Sequence, residues 1–394
     1  MELRDVYILE GCRTAIGSFG GQFLKVRAAD LGVVAAEEAI RRAGVDKAAL
    51  DDVLVGCCMM VSDEINIGRV ISLRAGIPDS VPAATIQRQC SSSMQALVFA
   101  AQQIQTGESD LVLVGGVESM SHTPYTLKGA RWGYRLRDGV LTDALWEGLT
   151  DPVKDLIMGL TAENLAAKYD ISRQAQDELA LTSHQRAAAA IREGRFAEEI
   201  VPVEVPAKRG QTRTIDTDEH VRMDITAEDL AKLKPAFKKD GTVTAGNSSG
   251  LNDAAAFVVV ASGDKVRELG LEPMGRLVNH AVAGVEPELM GYGPVPATRK
   301  ALDRAGWKLA DVELVELNEA FAAQYLACEK LLGLDRSITN VNGSGIALGH
   351  PVGCTGIRIT ISLLHEMRRR QAKRGLATLC VGGGMGKSVL IEAP

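Results

Sequence analysis

The stretch AEEAIRRAGVDKAALDDVLVG, residues 36–56, decides the fold because the chain repeats it as TRKALDRAGWKLADVELVELN, residues 298–318. Each copy opens with small and charged residues at helical spacing and reaches an Arg-Ala-Gly stop. Glycine closes a helix well because the left-handed conformation there carries no side-chain penalty. A short linker and an apolar run of strand type follow in both. Two more pairs keep the same order. DLVLVGGVESM (110–120) matches LATLCVGGGMGKSVLIE (376–392), each a strand running into glycines, and DVYILEGCRTA (5–15) matches MGRLVNHAVAG (274–284). The repeat predicts an α/β fold of two related β–α–β–α–β halves, packed as helix and sheet layers.

The segment 121–250 has a different texture, richer in charge and broken by Pro and Gly, as in SHTPYTLKGARWGYRLRDG and VPVEVPAKRGQTRTIDTDEH. It carries two helix-like stretches, TAENLAAKYD and SRQAQDELALTSHQRAAAAIREG, the second with Ser172 as N-cap and acids early. Such a length is expected to be an insertion with structure and function of its own. The whole chain of 394 residues, with 46% hydrophobic and 24% charged residues, suits a globular protein of two halves. A net charge of −6 argues against nucleic acid or an anionic membrane as the main partner. No apolar run reaches membrane-spanning length, and with no presequence evident at the start the expected location is the cytoplasm. Seven cysteines (12, 57, 58, 90, 328, 354, 380) form no CxxC pair, so neither a metal site nor a disulfide framework is signalled.

Three places could carry chemistry. In RQCSSSMQAL (88–97), Cys90 sits where a strand-like run gives way to a helix-like one, so the expected first helical turn would favour its thiolate. In NVNGSGIALGHPVGCTGIRIT (340–360), His350 stands among five glycines before a helix. LVELNEAFAAQYLA (314–327) places Asn318 and Glu319 at a strand end, where open α/β sheets build their sites, although a helix cap would also explain Asn318. The run CVGGGMGKS imitates a phosphate loop, but Val381 stands where that motif needs glycine and Lys387 leads into a strand. What it leaves is Cys380 at a strand end, before backbone N–H groups able to hold an anion.

Taken together, QCSSSMQAL, GGVESMS, GTVTAGNSSGLNDAAA, LNEAFA, NGSGIALGHPVGCTG and CVGGGMGKS resemble the thiolase family, most closely its acetyl-CoA acetyltransferases and 3-ketoacyl-CoA thiolases. The resemblance runs the length of the chain. It implies two βαβαβαββ halves in an α-β-α-β-α arrangement: residues 1–120 completed by 251–271, a loop domain over 121–250, and residues 272–394. It implies reversible cleavage of a 3-oxoacyl-CoA by coenzyme A, or condensation of acetyl-CoA, through an acyl group on Cys90. His350 would activate Cys90, Cys380 would move a proton at the α-carbon, and Asn318 with His350 would serve one oxyanion hole. The backbone amides of Cys90 and Gly382 would form the other. Arg222 and Ser249 match positions that contact coenzyme A, with Leu233, Phe237, Ala245, Met158, Ala320 and Phe321 along its pantetheine channel.

No metal and no permanently bound cofactor is expected, coenzyme A being a substrate. The resemblance further implies fatty acid metabolism and a homotetramer, since SHTPYTLKGARWGYRLRDG resembles the family's tetramer-forming loop. Departures from the family pattern are Ser91 and Ser93 in place of glycines, Ile157 for a histidine, Asp229 for a small polar residue and Ala254 for glycine. They bear on acyl-chain preference. Other readings are a decarboxylating ketoacyl synthase or a hydroxymethylglutaryl-CoA synthase of the same fold, which would carry a second His or a Glu at the place of Cys380 and lack GHPVGCTG, and a non-catalytic CoA- or acyl-binding scaffold.

Overall fold

In the computed structural model, which describes residues 3–207 and 210–394, ten strands join one large sheet. They are β1 (Val6–Arg13), β2 (Gly17–Ser18), β3 (Asp52–Gly56), β4 (Ala83–Ile86), β5 (Leu111–Ser119), β6 (Asn252–Ser262), β7 (Gly275–Gly284), β8 (Leu314–Leu317), β9 (Arg374–Val381) and β10 (Met385–Glu392). Their order is β8-β9-β10-β7-β1-β6-β5-β3-β4, with β2 beside β6. The two ends mirror each other. Outward from the centre, β1-β6-β5-β3-β4 answers β7-β10-β9-β8, and Thr339 bridges Val315 where a fifth strand would lie. In each half the inner pairings are antiparallel, while β3 on β5 and β8 on β9 are parallel. Along the sheet the two halves pair at Tyr7 with Arg276 and Ile8 with Gly275, where the Met274 N–H also donates to the Ile8 carbonyl at 2.8 Å.

Seven helices position the site: α1 (Ala28–Ala43), α2 (Ser92–Thr106), α3 (Met158–Tyr169), α4 (Arg173–Arg192), α5 (Pro294–Ala305), α6 (Ala322–Leu332) and α7 (Thr355–Arg370). The Arg-Ala-Gly stops behave as expected, with Gly44 at φ 68° and Gly306 at φ 66° closing α1 and α5. Helix α1 covers one outer face, against β1, β5 and β6, and α5 covers the other, against β7 and β10. Helices α2 and α7 pack on each other, α2 against β3 and β5, α7 against β8 and β9 and also β6. They form the middle of an α-β-α-β-α stack. Every residue of β5 and β6 is buried, which is why those segments read as apolar runs without alternation.

The segment 121–250 holds α3, α4 and three small antiparallel pairs, among them Tyr125–Leu127 with Leu141–Asp143 and Thr150–Asp151 with Leu156–Ile157. Ser172 does cap α4, its hydroxyl accepting from the Ala175 N–H at 3.1 Å. The first turn of α4 carries no acid, however; Asp177 and Glu178 lie further in, and Asp177 pairs with Arg173. Asp229 caps its own helix, Ala227–Ala231, in a reciprocal box with Thr226. Ala254 is buried in β6 opposite Glu118.

The two central helices approach closely because small residues line their contact. A Cβ on Gly356 would stand 2.5 Å from the Met94 backbone nitrogen, and one on Gly116 would stand 2.4 Å from the Ser93 Cβ. Ser93 uses the space between them. Its hydroxyl accepts from the Ile357 N–H at 3.0 Å and donates to the Cys354 carbonyl at 3.1 Å. Cys354, the residue before α7, offers no side-chain cap of its own. A side chain of the first half thus caps a helix of the second. Lys387 makes another tie. It is 1% exposed on β10, yet its Nζ donates to Gln95 Oε1 of α2 at 2.9 Å. Burial first, then the nearby charge of Arg88, pushes its pKa down to about 7.

Two outcomes follow from these ties. Ser93→Ala strands a buried N–H at the start of α7 and is expected to lower unfolding stability by about 1–3 kcal/mol, read by urea denaturation. Lys387 binds fewer protons folded than unfolded between pH 7 and its ordinary 10.5, so its contribution to stability rises with pH across that window. Lys387→Met should therefore gain on the unsubstituted protein at pH 7 and lose that advantage toward pH 10. An advantage unchanged by pH would refute the assignment.

Candidate active site

The turn that presents Cys90 is strained and fastened. Gln89 adopts φ 46°, an uncommon conformation for a residue with a side chain. Ser92 holds that turn, accepting from the Arg88 N–H at 2.9 Å and donating to the Gln89 carbonyl at 2.6 Å. The expectation that Cys90 occupies the first helical turn is corrected here: α2 begins at Ser92, with Ser91 as its N-cap. Cys90 stands just ahead of the helix. Nor is its thiol acidic. Burial raises its pKa to about 11, against the partial help of the Gly382 and Cys90 backbone N–H groups that point at the sulfur. Enclosure outweighs the helix end, since the thiolate loses more solvation than two amides return.

Cys90 opens on a cleft of about 60 Å3 lined also by Gln89, Gly382, Cys58, Met59, Leu149, Met158 and Val352. Asp151 is the one carboxylate in its lining, and it is engaged by the Val153 and Lys154 amides at 2.9 Å each. Cys380, the last residue but one of β9, is buried with Met290 and Ala320 against Phe321 and against Met158, which lines this cleft. Its pKa is pushed well up by burial and then by the neighbouring charge Cys90 would carry. The glycines after it take φ 79° and 81° at Gly383 and Gly384, turning the chain back into β10.

His350 is buried and held from several directions. Its N–H donates to Asn252 Oδ1 at 2.9 Å, and Asn252 lies so close to Gly349, at φ 110°, that no side chain fits there. Its Nδ1 meets the Thr355 hydroxyl at 2.7 Å and the Asn318 amide at 3.4 Å. Its Nε2 is buried with no hydrogen-bond partner among the described residues. Burial, then the charge of Arg358, lowers its pKa to about 3, so the ring is neutral. Asn318 is no helix cap, since α6 starts at Ala322. Its Oδ1 accepts from Arg358 at 3.2 Å, which turns its amide nitrogen toward His350.

Residues without an assigned role in the sequence hold this assembly. The Glu118 carboxylate, at the end of β5, accepts from the backbone N–H groups of Cys58 (3.2 Å), Met59 (3.0 Å) and Gly353 (2.7 Å). Burial lifts its pKa to about 7, less than it would be without those three donors. A charged residue inside the apolar run LVLVGGVES was its signal. Arg358 and Thr355 follow His350 in one helical start and gave none. The departures at Ser91 and Ser93 leave the cleft unobstructed: the Ser91 hydroxyl turns back to the Arg88 carbonyl at 3.0 Å, and Ser93 faces α7. Ile157 pairs with Thr150 at the cleft's edge.

The positions matched to coenzyme A fall into two groups. Phe237 and Phe321 meet edge to face at 6.2 Å, Gly159 of α3 lies under Phe237, and Leu233 lies over Gly246 beside exposed Ala245. The Ser249 N–H donates to the Ala320 carbonyl at 2.9 Å, joining that loop to the strand end. Arg222 stands apart and exposed, its N–H donating to His184 Nδ1 at 3.2 Å. Among the described residues no hydrogen bond or ion pair joins Arg222 to the others.

Comparison with known proteins gives the same outline. Residues 6–264 match the family model of the thiolase N-terminal domain, and residues 271–393 that of the thiolase C-terminal domain. The chain is 49% identical over 391 residues to an acetyl-CoA acetyltransferase of Chromobacterium violaceum, covering 99% of this chain and 100% of that one. It is equally similar, 49% over 391 residues and 99% of each, to the beta-ketothiolase BktB of Cupriavidus necator. Among solved structures, an acetyl-CoA acetyltransferase of Bacillus anthracis superposes with a TM-score of 0.98 at 52% identity, over 100% of this chain and 99% of that one. Human mitochondrial 3-ketoacyl-CoA thiolase in complex with CoA superposes with a TM-score of 0.96 at 46% identity, over 99% and 98%. The chain belongs to the thiolase family.

Proposed function

We propose that this thiolase is an acyltransferase that cleaves a 3-oxoacyl-CoA, acetoacetyl-CoA or longer, with coenzyme A, or condenses two acetyl-CoA molecules in reverse, through an acyl-Cys90 intermediate. One observation carries the reading: Cys90 stands in a cleft that Gly382 also lines, and Cys380 is buried against Met158 of the same lining. Names of relatives, acetyl-CoA acetyltransferase and beta-ketothiolase, support the substrate class.

The chemistry follows from the environments. Thiol and imidazole are both neutral at rest, so proton transfer from Cys90 to His350 Nε2 accompanies attack on the 3-oxo carbonyl. Nε2 can accept when the ring proton sits on Nδ1, held by Thr355, whose own hydroxyl proton goes to the Pro351 carbonyl at 2.9 Å. The C2–C3 bond then breaks, leaving an acyl thioester on Cys90 and the enolate of acetyl-CoA. Cys380 delivers a proton to that enolate carbon. Coenzyme A thiol next gives its proton to the Cys380 thiolate and attacks the acyl-Cys90 thioester, and Cys90 leaves with the proton that His350 returns. Each stage places negative charge on a thioester or carbonyl oxygen. We assign one oxyanion site to the Cys90 and Gly382 amides and another to Asn318, through a water, with His350.

The segment 121–250 is assigned to coenzyme binding and assembly. Met158, Leu233, Phe237, Ala245, Ala320 and Phe321 would flank the pantetheine arm, with Ser249 and Arg222 toward the nucleotide end; the described CoA complex of the human thiolase supports coenzyme A as the bound species. Trp132 and Leu136 are each 87% exposed on the hairpin segment after Tyr125, a large apolar display for a free surface. We assign this hairpin to a homotetramer contact. Location in the cytoplasm and a part in fatty acid metabolism accord with this reading.

Incubation with acetoacetyl-CoA, followed by mass spectrometry of the intact chain, should show one added acetyl group that Cys90→Ala abolishes. Acetylation that persists in that variant would refute the assignment. For assembly, Trp132→Asp with Leu136→Asp should halve the mass or more in analytical ultracentrifugation while leaving the far-UV spectrum unchanged; an unchanged mass would place the contact elsewhere.

A further inference from the structure

Arg358, on α7, is wholly buried, and its Nε and Nη1 have no hydrogen-bond partner among the described residues. Burial acts on it first and the charge of Glu316, on β8, second. Even so, Glu316 Oε2 is also buried without a partner among the described residues. A cation taken out of water with so little return is costly to keep. Its one side-chain hydrogen bond among the described residues runs from Nη2 to Asn318 Oδ1, at 3.2 Å. The buried charge is thus spent on a residue of the site.

That bond decides how the Asn318 amide lies. A guanidinium donates and never accepts, so the amide atom against it is the oxygen, and the nitrogen takes the other side. No other group bonds that oxygen among the described residues. Gly345 leaves it room, since a Cβ there would stand 2.8 Å from Asn318 Oδ1. The backbone is fixed as well: the Asn318 N–H donates to the carbonyl of Thr378, on β9, at 3.0 Å. The amide nitrogen lies 3.4 Å from His350 Nδ1, whose closer partner is the Thr355 hydroxyl at 2.7 Å. Turned over, Asn318 would set its oxygen there, an acceptor where developing negative charge needs donors.

We propose that Arg358 is a positioning residue for thiolysis: by holding Asn318 Oδ1 it keeps the amide N–H groups turned toward the oxyanion site. This rests on the thiolytic reading above. The test is a double-mutant cycle on kcat with Arg358→Met, Asn318→Ala and the double variant, using acetoacetyl-CoA or 3-oxooctanoyl-CoA, whichever turns over faster. Arg358→Met should lower kcat about tenfold or more with KM within about threefold, because the oriented donor acts on the transition state. With Asn318 gone the cation has nothing to orient, so the double variant should match Asn318→Ala within about threefold. Alkylation of Cys90 by iodoacetamide forms no oxyanion, and its rate constant does not scale with the amount of active protein. In Arg358→Met it should stay within about threefold of the unsubstituted value. Arg358→Gln, whose amide both donates and accepts and so selects neither orientation, runs the same cycle if Arg358→Met does not fold. Losses that multiply in the double variant, kcat within about twofold of the unsubstituted protein, or alkylation slowed as much as kcat overturn the inference while thiolysis stands. Failure of the unsubstituted protein to turn over either substrate removes the thiolytic reading and this inference with it.

Discussion

Ser93 and Cys354, 261 positions apart, share a hydrogen bond, and the site depends on that lock between the halves. Along the sheet the halves meet over a short ladder, Tyr7 with Arg276 and Ile8 with Gly275, extended by the Met274 N–H on the Ile8 carbonyl and the Arg276–Asp5 pair. The lock itself is made in the central layer. Ser93 grips the start of α7, and Glu118 grips both the Cys58–Met59 turn and Gly353. Both residues act on backbone groups, which hold position better than side chains with free torsions.

The electrostatics are those of a closed site. Burial raises Cys90 to about 11 and lowers His350 to about 3, so neither carries charge at neutral pH. A standing thiolate would need a permanent counter-ion in the cleft, and the one carboxylate lining it, Asp151, has the wrong sign and is bound to its own turn. Neutral partners with aligned donors stabilise charge when it forms, which is where stabilisation accelerates a reaction. Glu118 extends the pattern: three amides hold a carboxylate whose pKa burial has lifted to about 7.

Much of this was legible before coordinates. The doubled Arg-Ala-Gly stop gave the halves, because left-handed glycine closes a helix by local torsion alone, and Gly44 and Gly306 do so. The runs around Cys90, His350, Asn318 and Cys380 stood out because small residues and polar groups interrupt apolar segments there. The helix start was misread by two residues, since the Ser92 hydroxyl spends its bonds on the Arg88–Gln89 turn and α2 begins only after it. The acidity of Cys90 was misjudged for a related reason: desolvation depends on everything packed around the sulfur, which local sequence does not carry. Arg358 had no signature either, as its hold on Asn318 spans 40 positions of the chain.

The duplication accounts for the geometry of the site more fully than any single motif. Helices α2 and α7 are the equivalent central helices of the two halves, and each is preceded by a tight turn. One turn carries Cys90 just before Ser92, and the other carries His350 a turn's length before Thr355. Likewise β5 and β9 hold equivalent places in their half-sheets; one ends near Glu118, which braces the turns, and the other runs through Cys380 to Gly382, which lines the Cys90 cleft. A pseudo-symmetric fold brings equivalent ends together at its centre, so two helix starts and two strand ends meet there without a long excursion of the chain. Divergence of residue type at those matched positions then places a thiol before one central helix and an imidazole before the other.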